Sequence, residues 1–224
     1  MITFDDVSFA YQGGIPSGSE PPALRHIHFH AERGECIVLC GKSGCGKTTM
    51  LRMVNGLVPH FYLGRLEGDI TVGNVHIKEA SLPQVAAVVG SVFQNPRTQF
   101  FHLDTTGEMA FNMENLNIPH DKMVERLKET AWKLDIQTLM DRDIFQLSGG
   151  EKQQIACGSV YASMPEVIVM DEPSSNLDME SIRKLQDLIR TMKDEGKTIL
   201  ISEHRLWYLE DIADRYVLLK DGQI

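Results

Sequence analysis

Gly41–Thr48 reads GKSGCGKT, which matches GxxxxGK[ST]. Glycines at 41, 44 and 46 let a backbone wrap an anion and turn its N–H groups inward. A helix opening at Lys47 adds its positive end. Lys47 supplies a mobile charge for the β- and γ-phosphates, and the Thr48 hydroxyl is placed to hold Mg²⁺. A second chemical stretch is Val167–Pro173, VIVMDEP. Four apolar residues carry Asp171 to the end of a core strand, where it reaches Mg²⁺ through water. Glu172 is the next residue, so it points elsewhere, toward an attacking water, as general base or water orienter. Alone, such an acidic pair is as readily a helix cap; the phosphate loop in the same chain favours chemistry.

Other candidates are weaker. His26, His28 and His30 share one face of an alternating stretch, but no carboxylate or cysteine completes a ligand set in the sequence, so a solvated strand face is expected. Cys36, Cys40, Cys45 and Cys157 form no CxxC pair and read as reduced core or loop thiols. The net charge of −9 disfavours a nucleic-acid partner, which needs a basic surface.

These groups need a scaffold. With 224 residues, 42% hydrophobic and 24% charged, the chain has ordinary globular composition and room for a core without disulfides. No run of 18 apolar residues exists and no charged-then-apolar leader opens the sequence, so it reads as cytosolic. Ile2–Ala10 and Leu24–His30 alternate as strands, with a glycine- and proline-rich loop at Gly13–Pro22 between them. Cys36–Cys40 (CIVLC) and Val167–Met170 read as strands buried on both faces. Gly68–Ile77, Ala86–Phe93, Thr198–Ile201 and Tyr216–Leu219 read as further strands. Helices are expected from Lys47 to about Gly56, within Thr105–Met140, and over Ser181–Lys193. Met123, Leu127, Ala131 and Leu134 fall on one helical face, and Trp132 is expected to pack. Strands alternating with helices imply an α/β fold with a mainly parallel sheet, an antiparallel β subdomain and an inserted helical lobe. The expected division is one domain over 1–224, with its core at about 1–93 and 165–224 and its lobe at about 94–164.

Leu147–Gln154 reads LSGGEKQQ, and with it the chain resembles the ATP-binding-cassette (ABC) ATPases, whose motifs appear here in order. Tyr11 resembles the aromatic that stacks on adenine. Gly41, Lys42, Ser43, Gly44, Cys45, Gly46, Lys47, Thr48 and Thr49 resemble the Walker A loop that binds ATP. Gln94, in VFQNP, resembles the glutamine that touches Mg²⁺. Asp171 and Glu172 close a Walker B strand, Ser174–Asp178 (SSNLD) resembles the D-loop, and His204 in SEHR resembles the switch histidine on the γ-phosphate. The resemblance implies that Ser148, Gly149, Gly150 and Glu151 contact the ATP of an opposite subunit, so that two subunits sandwich two ATPs. A helix opening near Glu151 gives that segment the physics of a second anion site. The catalytic set it implies is Glu172, His204, Gln94 and Lys47, with ATP and Mg²⁺ as cofactors.

The short spacing from Walker A to signature excludes chromosome-structure ATPases, and the lack of NKxD disfavours a GTPase. Asn55–Tyr62 (NGLVPHFY), Phe93–Leu116 and Ser202–Leu209 (SEHRLWYL) resemble energy-coupling-factor importer ATPases of thiamine-precursor or cobalt type. That resemblance implies a second ATPase subunit in a homo- or heterodimer, an integral coupling subunit, a substrate-binding membrane protein, and a peripheral seat on the cytoplasmic membrane face. The Gln94–Leu116 segment would line the groove for coupling helices, with Phe100 and Phe101 either touching them or packing under the lobe. Gln154 stands where relatives often carry Arg, and Cys45 replaces a small residue, which makes the loop oxidisable. No C-terminal helical extension follows Ile224, as expected of a truncated chain or one half of a tandem ATPase.

Overall fold

The computed structural model describes residues 1–12 and 22–224; the expected loop at Gly13–Pro22 lies, but for its last residue, outside them. Two sheets form the frame. The antiparallel sheet has the order β2-β1-β4-β5, from β1 (Ile2–Tyr11), β2 (Leu24–Ala31), β4 (Gly64–Val72) and β5 (Val75–His76). The parallel sheet has the order β6-β7-β8-β3-β9, from β3 (Cys36–Cys40), β6 (Val89–Val92), β7 (Val167–Asp171), β8 (Thr198–Ser202) and β9 (Arg215–Leu218). Because β7, β8 and β3 are parallel neighbours, their carboxyl ends share one edge, and the loops that follow gather there.

The central parallel strands β3, β7 and β8 are mainly apolar because both their faces are covered. Cys36, Val38, Ile168, Met170, Ile199 and Ile201 enter one apolar cluster, with the helices on that side. Ile37, Leu39, Val167, Val169 and Leu200 enter the other, with the antiparallel sheet and α1 (Lys47–Val54). Short segments α2 (Leu57–His60) and α3 (Leu82–Ala86) flank that side. Between β6 and β7 come α4 (Thr105–Asn115), α5 (His120–Lys133) and α6 (Gly149–Ala162); α7 (Met179–Asp194) follows β7. α6 is buried almost all round, and residues of α4, α5 and α6 share one cluster with the sheet.

Some expectations are corrected. Gly68–Ile77 is not one strand: Gly73, at φ 60°, turns the chain between β4 and β5. The Ala86–Phe93 strand is shortened because a capping box at Ser81 and Gln84 starts α3 first. The signature helix starts at Gly149 rather than near Glu151, since Ser148 is its cap. Leu127, Ala131 and Leu134 are buried, but Trp132 is 73% exposed, one residue around the helix from their face. Carboxylates do reach the histidine face: His26 Nδ1 lies 2.8 Å from Asp6, and His30 Nε2 3.1 Å from Glu32. These are exposed pairs, and among the described residues no group of three ligands is arranged for a metal. All four cysteines are free. Burial pushes the Cys36 and Cys157 thiols up to about 12, which makes them unreactive.

Candidate functional site

The loop after β3 enters α1 through Gly46, at φ 113°. A Cβ there would lie 2.6 Å from the Leu24 side chain and 2.9 Å from the Ala23 carbonyl, so only glycine fits. No side chain caps α1. Its first N–H groups remain available to an anion. Lys47 is 4% exposed and its Nζ donates to the Gly41 carbonyl at 2.9 Å and the Lys42 carbonyl at 3.3 Å. The same Nζ lies 3.4 Å from His204 Nε2. His204 Nε2 is in turn 3.2 Å from Glu172 Oε1. Glu172 Oε2 accepts from Gln94 Nε2 at 2.9 Å. Residues drawn from four separate segments thus form one continuous chain of contacts, Lys47, His204, Glu172 and Gln94.

Beside it, Thr48 Oγ1 donates to Asp171 Oδ1 at 3.1 Å, and Ser202 Oγ donates to the same oxygen. Asp171 and Glu172 diverge as expected. Glu172 sits at φ 44°, an uncommon conformation for a residue with a Cβ, and its N–H bonds to the Ser202 carbonyl at 3.0 Å. That turn aims Asp171 at Thr48 and Glu172 at His204.

Residues 24–175 match the sequence profile of the family described as ABC transporter. This chain belongs to the ABC transporter family. A curated protein of Treponema denticola, named for an ABC transporter ATP-binding role, is 48% identical over all of this ABC chain. The match covers 45% of that protein, and the chain spans about half the length of the first curated relatives it matches. A solved structure of CbiO1 from Clostridium perfringens, described as part of the ABC transporter complex CbiONQ, is 25% identical, with a TM-score of 0.85 over 99% of this chain and 85% of that one. A dimeric structure of a bacterial ABC transporter cassette superposes with a TM-score of 0.83 at 23% identity, over 100% of this chain and 96% of that one, a likeness of fold.

Other ABC motif residues sit apart from the Lys47 chain. Ser148 and Glu151 form a capping box: Ser148 N donates to Glu151 Oε2 at 2.7 Å, and Glu151 N donates to Ser148 Oγ at 3.3 Å. Arg142 holds the other Glu151 oxygen at 2.8 Å. The Ser148 backbone N–H, then these other partners, keep the Glu151 carboxyl below its ordinary range. The Glu151 side chain is therefore committed to its own helix and Arg142. Gly149 is open, whereas a Cβ on Gly150 would lie 2.1 Å from Ser181 Oγ, because α6 and α7 begin in close contact. Asp178 caps α7, accepting from Ser181 N at 2.8 Å. Tyr11 donates or accepts at Thr49 Oγ1, 3.0 Å away, and meets the Phe9 and Tyr62 rings edge-on. Its hydroxyl thereby ties β1 to the phosphate helix. Cys45 is buried within the loop, which shields the thiol the sequence marked as oxidisable.

Phe100 and Phe101 divide. Phe100 packs on the helical cluster, while Phe101 is 73% exposed and stacks on Phe111 with centroids 4.6 Å apart. Phe93, Phe101, Phe111 and Leu116 line a groove of about 530 Å³ that also touches α3 and β6. Buried Glu108 fixes its rim, accepting from Phe101 N at 2.7 Å and His102 N at 2.9 Å.

Sequence reasoning missed two residues. Ser202, the last of β8, bonds Asp171; its position one strand over from Asp171 was the available signal. Glu203 is 2% exposed and accepts four hydrogen bonds. A glutamate directly after a buried apolar strand was the only hint of it.

Proposed function

We propose that this chain is the ATP-hydrolysing cassette of an energy-coupling-factor type ABC importer. It sits peripherally on the cytoplasmic membrane face and drives uptake of a vitamin, vitamin precursor or transition-metal ion. The observation that carries the ATPase reading is the contact chain from Lys47 through His204 and Glu172 to Gln94. Lys47 and the N–H groups of Gly41–Thr49 hold the phosphates, and Tyr11 supports the adenine end. Glu172 takes a proton from the attacking water, Gln94 orients that water and the carboxylate, and His204 steadies the γ-phosphate.

The donor set fits Mg²⁺. Thr48 Oγ1 and Asp171 Oδ1 are hard oxygens 3.1 Å apart at the mouth of the phosphate loop, and the Gln94 amide oxygen adds a third. Held there by Thr48, Asp171 and Gln94, the ion would neutralise charge on the nucleotide phosphates. Ser148, Gly149 and Gly150 serve the nucleotide of an opposite subunit, and Asp178 holds the D-loop that faces it. Glu151 acts on that nucleotide only by holding the helix terminus.

Three supports favour the importer branch: the likeness to CbiO1, the segment Phe93–Leu116, and the aromatic groove it lines, which suits an amphipathic helix of an integral coupling subunit. Among the described residues no helix is long and apolar enough to cross a membrane.

Two measurements test this. Glu172→Gln is expected to retain ATP binding and lose turnover by at least about 100-fold, the usual worth of a general base; a wild-type rate removes Glu172 from that role. Affinity purification of the tagged protein from detergent-solubilised membranes is expected to recover an integral coupling subunit and a small substrate-binding membrane protein. Recovery of soluble partners alone would favour a non-transport ABC ATPase and leave the chemistry standing.

A further inference from the structure

Glu203 follows β8, its N–H still bonded to the Leu39 carbonyl of β3 at 3.1 Å. Its side chain is buried against three segments. Oε1 accepts from Ser174 N at 3.1 Å and from Tyr208 Oη at 2.8 Å. Oε2 accepts from His204 N at 2.8 Å and from Arg205 N at 3.3 Å. A carboxylate offers about four lone-pair sites, and here all are used. Among the described residues no cationic side chain pairs with it. The Arg205 guanidinium passes by and donates instead to the carbonyls of Ser174 (3.3 Å) and Leu177 (3.2 Å). Glu203 and Arg205 therefore bind the Ser174–Leu177 loop from both its donor and its acceptor sides. Tyr208, fully buried, anchors the assembly from below; burial raises its phenol well above the usual value.

We propose that Glu203 is a positioning residue for ATP hydrolysis. Its carboxylate fastens the backbone of His204 to the loop that runs from Ser174 to Asp178, so displacement of that loop re-aims His204 at Glu172 and Lys47. On the reading of an ABC dimer given above, the loop faces the opposite subunit, and contact across the dimer reaches the catalytic histidine through one buried carboxylate. The chemistry explains the choice of residue. Every group that meets Glu203 is a donor, so an acceptor-only side chain satisfies all of them, and glutamine does not. The amide nitrogen of Glu203→Gln must face donors on one side. The Tyr208 hydroxyl can turn to accept, so the nitrogen settles there and leaves Ser174 N–H without a partner. The substitution thus cuts the tie to the loop while sparing the ties to His204 and Arg205.

The test uses the full chain and measures ATP dissociation constant, kcat and thermal midpoint for Glu203→Gln and Tyr208→Phe, with Lys47→Ala in parallel. For Glu203→Gln we expect kcat to fall about tenfold with ATP affinity unchanged, the loss of a hydrogen bond to a charged group. For Tyr208→Phe we expect a fall of about threefold in kcat, again at constant affinity. Wild-type kcat in Glu203→Gln overturns the proposal, and so does a parallel loss of kcat, affinity and thermal midpoint, which marks a purely structural role. If Glu203→Gln fails to fold, Tyr208→Phe decides, and wild-type kcat in that variant overturns the proposal. Lys47→Ala separates the two levels. If it binds ATP like the wild type, the nucleotide reading itself fails; if it loses ATP while Glu203→Gln keeps its rate, only the role of Glu203 falls.

Discussion

Two helices in this chain begin with glycine-rich sequence, and they begin differently. α1 starts from Gly46 with no side-chain cap, and Lys47 stands at its first position. α6 starts from Ser148 with a complete capping box, and the Glu151 carboxylate lies against its own N-terminus. The first arrangement leaves N–H groups and a cation for a phosphate. The second satisfies part of its own dipole with its own anion. A terminus that already holds a carboxylate is a poor phosphate site by itself. It becomes one where another surface brings the cation. The contrast gives physical content to the division of labour proposed above, in which α1 binds nucleotide within the chain and α6 completes a site across an interface.

The contrast can be broken in order of expected effect. Lys47→Ala removes the cation at α1, and ATP affinity by calorimetric titration is expected to fall at least about 100-fold, since charge-assisted phosphate contacts are the strong ones; an unchanged affinity would sink the assignment of α1. Gly150→Ala drives a methyl into Ser181 where α6 meets α7. A loss of about 1–3 kcal/mol is expected, read as a thermal midpoint lower by several degrees, with ATP affinity at α1 intact. Ser148→Ala removes one half of the capping box and should cost about 1 kcal/mol. The same substitution at a terminus that relied on a ligand instead would cost nothing measurable in nucleotide-free protein. The smallest effect is a pH dependence. The folded Glu151 carboxyl is held below its ordinary range, so its contribution is full above the unfolded pKa and is lost as pH falls through the folded one. Glu151→Gln should therefore be less stable than the wild type at neutral pH, and the gap in thermal midpoint should close in acid. A gap that stays constant shows that the cap does not depend on the charge.

What the sequence made legible was local. Cys36–Cys40 is continuous and apolar, and it forms the buried strand it announces. The phosphate loop and the Asp171-Glu172 pair could be read because their chemistry lies in consecutive residues whose geometry a strand end dictates. The strand alternation of β1 and β2 and the helical spacing of Leu127, Ala131 and Leu134 were equally direct. The misreadings share a cause. Gly73 splits a pattern that alternates well on either side of it, and only pairing with β1 fixes where β4 stops. Trp132 is large and apolar, yet helix phase outranks hydrophobicity. Arg142, nine residues before Glu151, bonds one of its carboxylate oxygens, a partner that the motif alone does not reveal. Glu203 was invisible because its four donors come from Ser174, His204, Arg205 and Tyr208, and the most distant of them, Ser174, is brought near by the register of β7 with β8 alone.

The parallel sheet has one further consequence. Its strands send alternate residues into two apolar clusters, one shared with the antiparallel sheet and α1 and one shared with α4 to α7. The sheet is a party wall. Tyr208 stands on the helical side of that wall with its hydroxyl on Glu203, so a substitution that reshapes this side is passed along to His204, while the α1 side is screened from it.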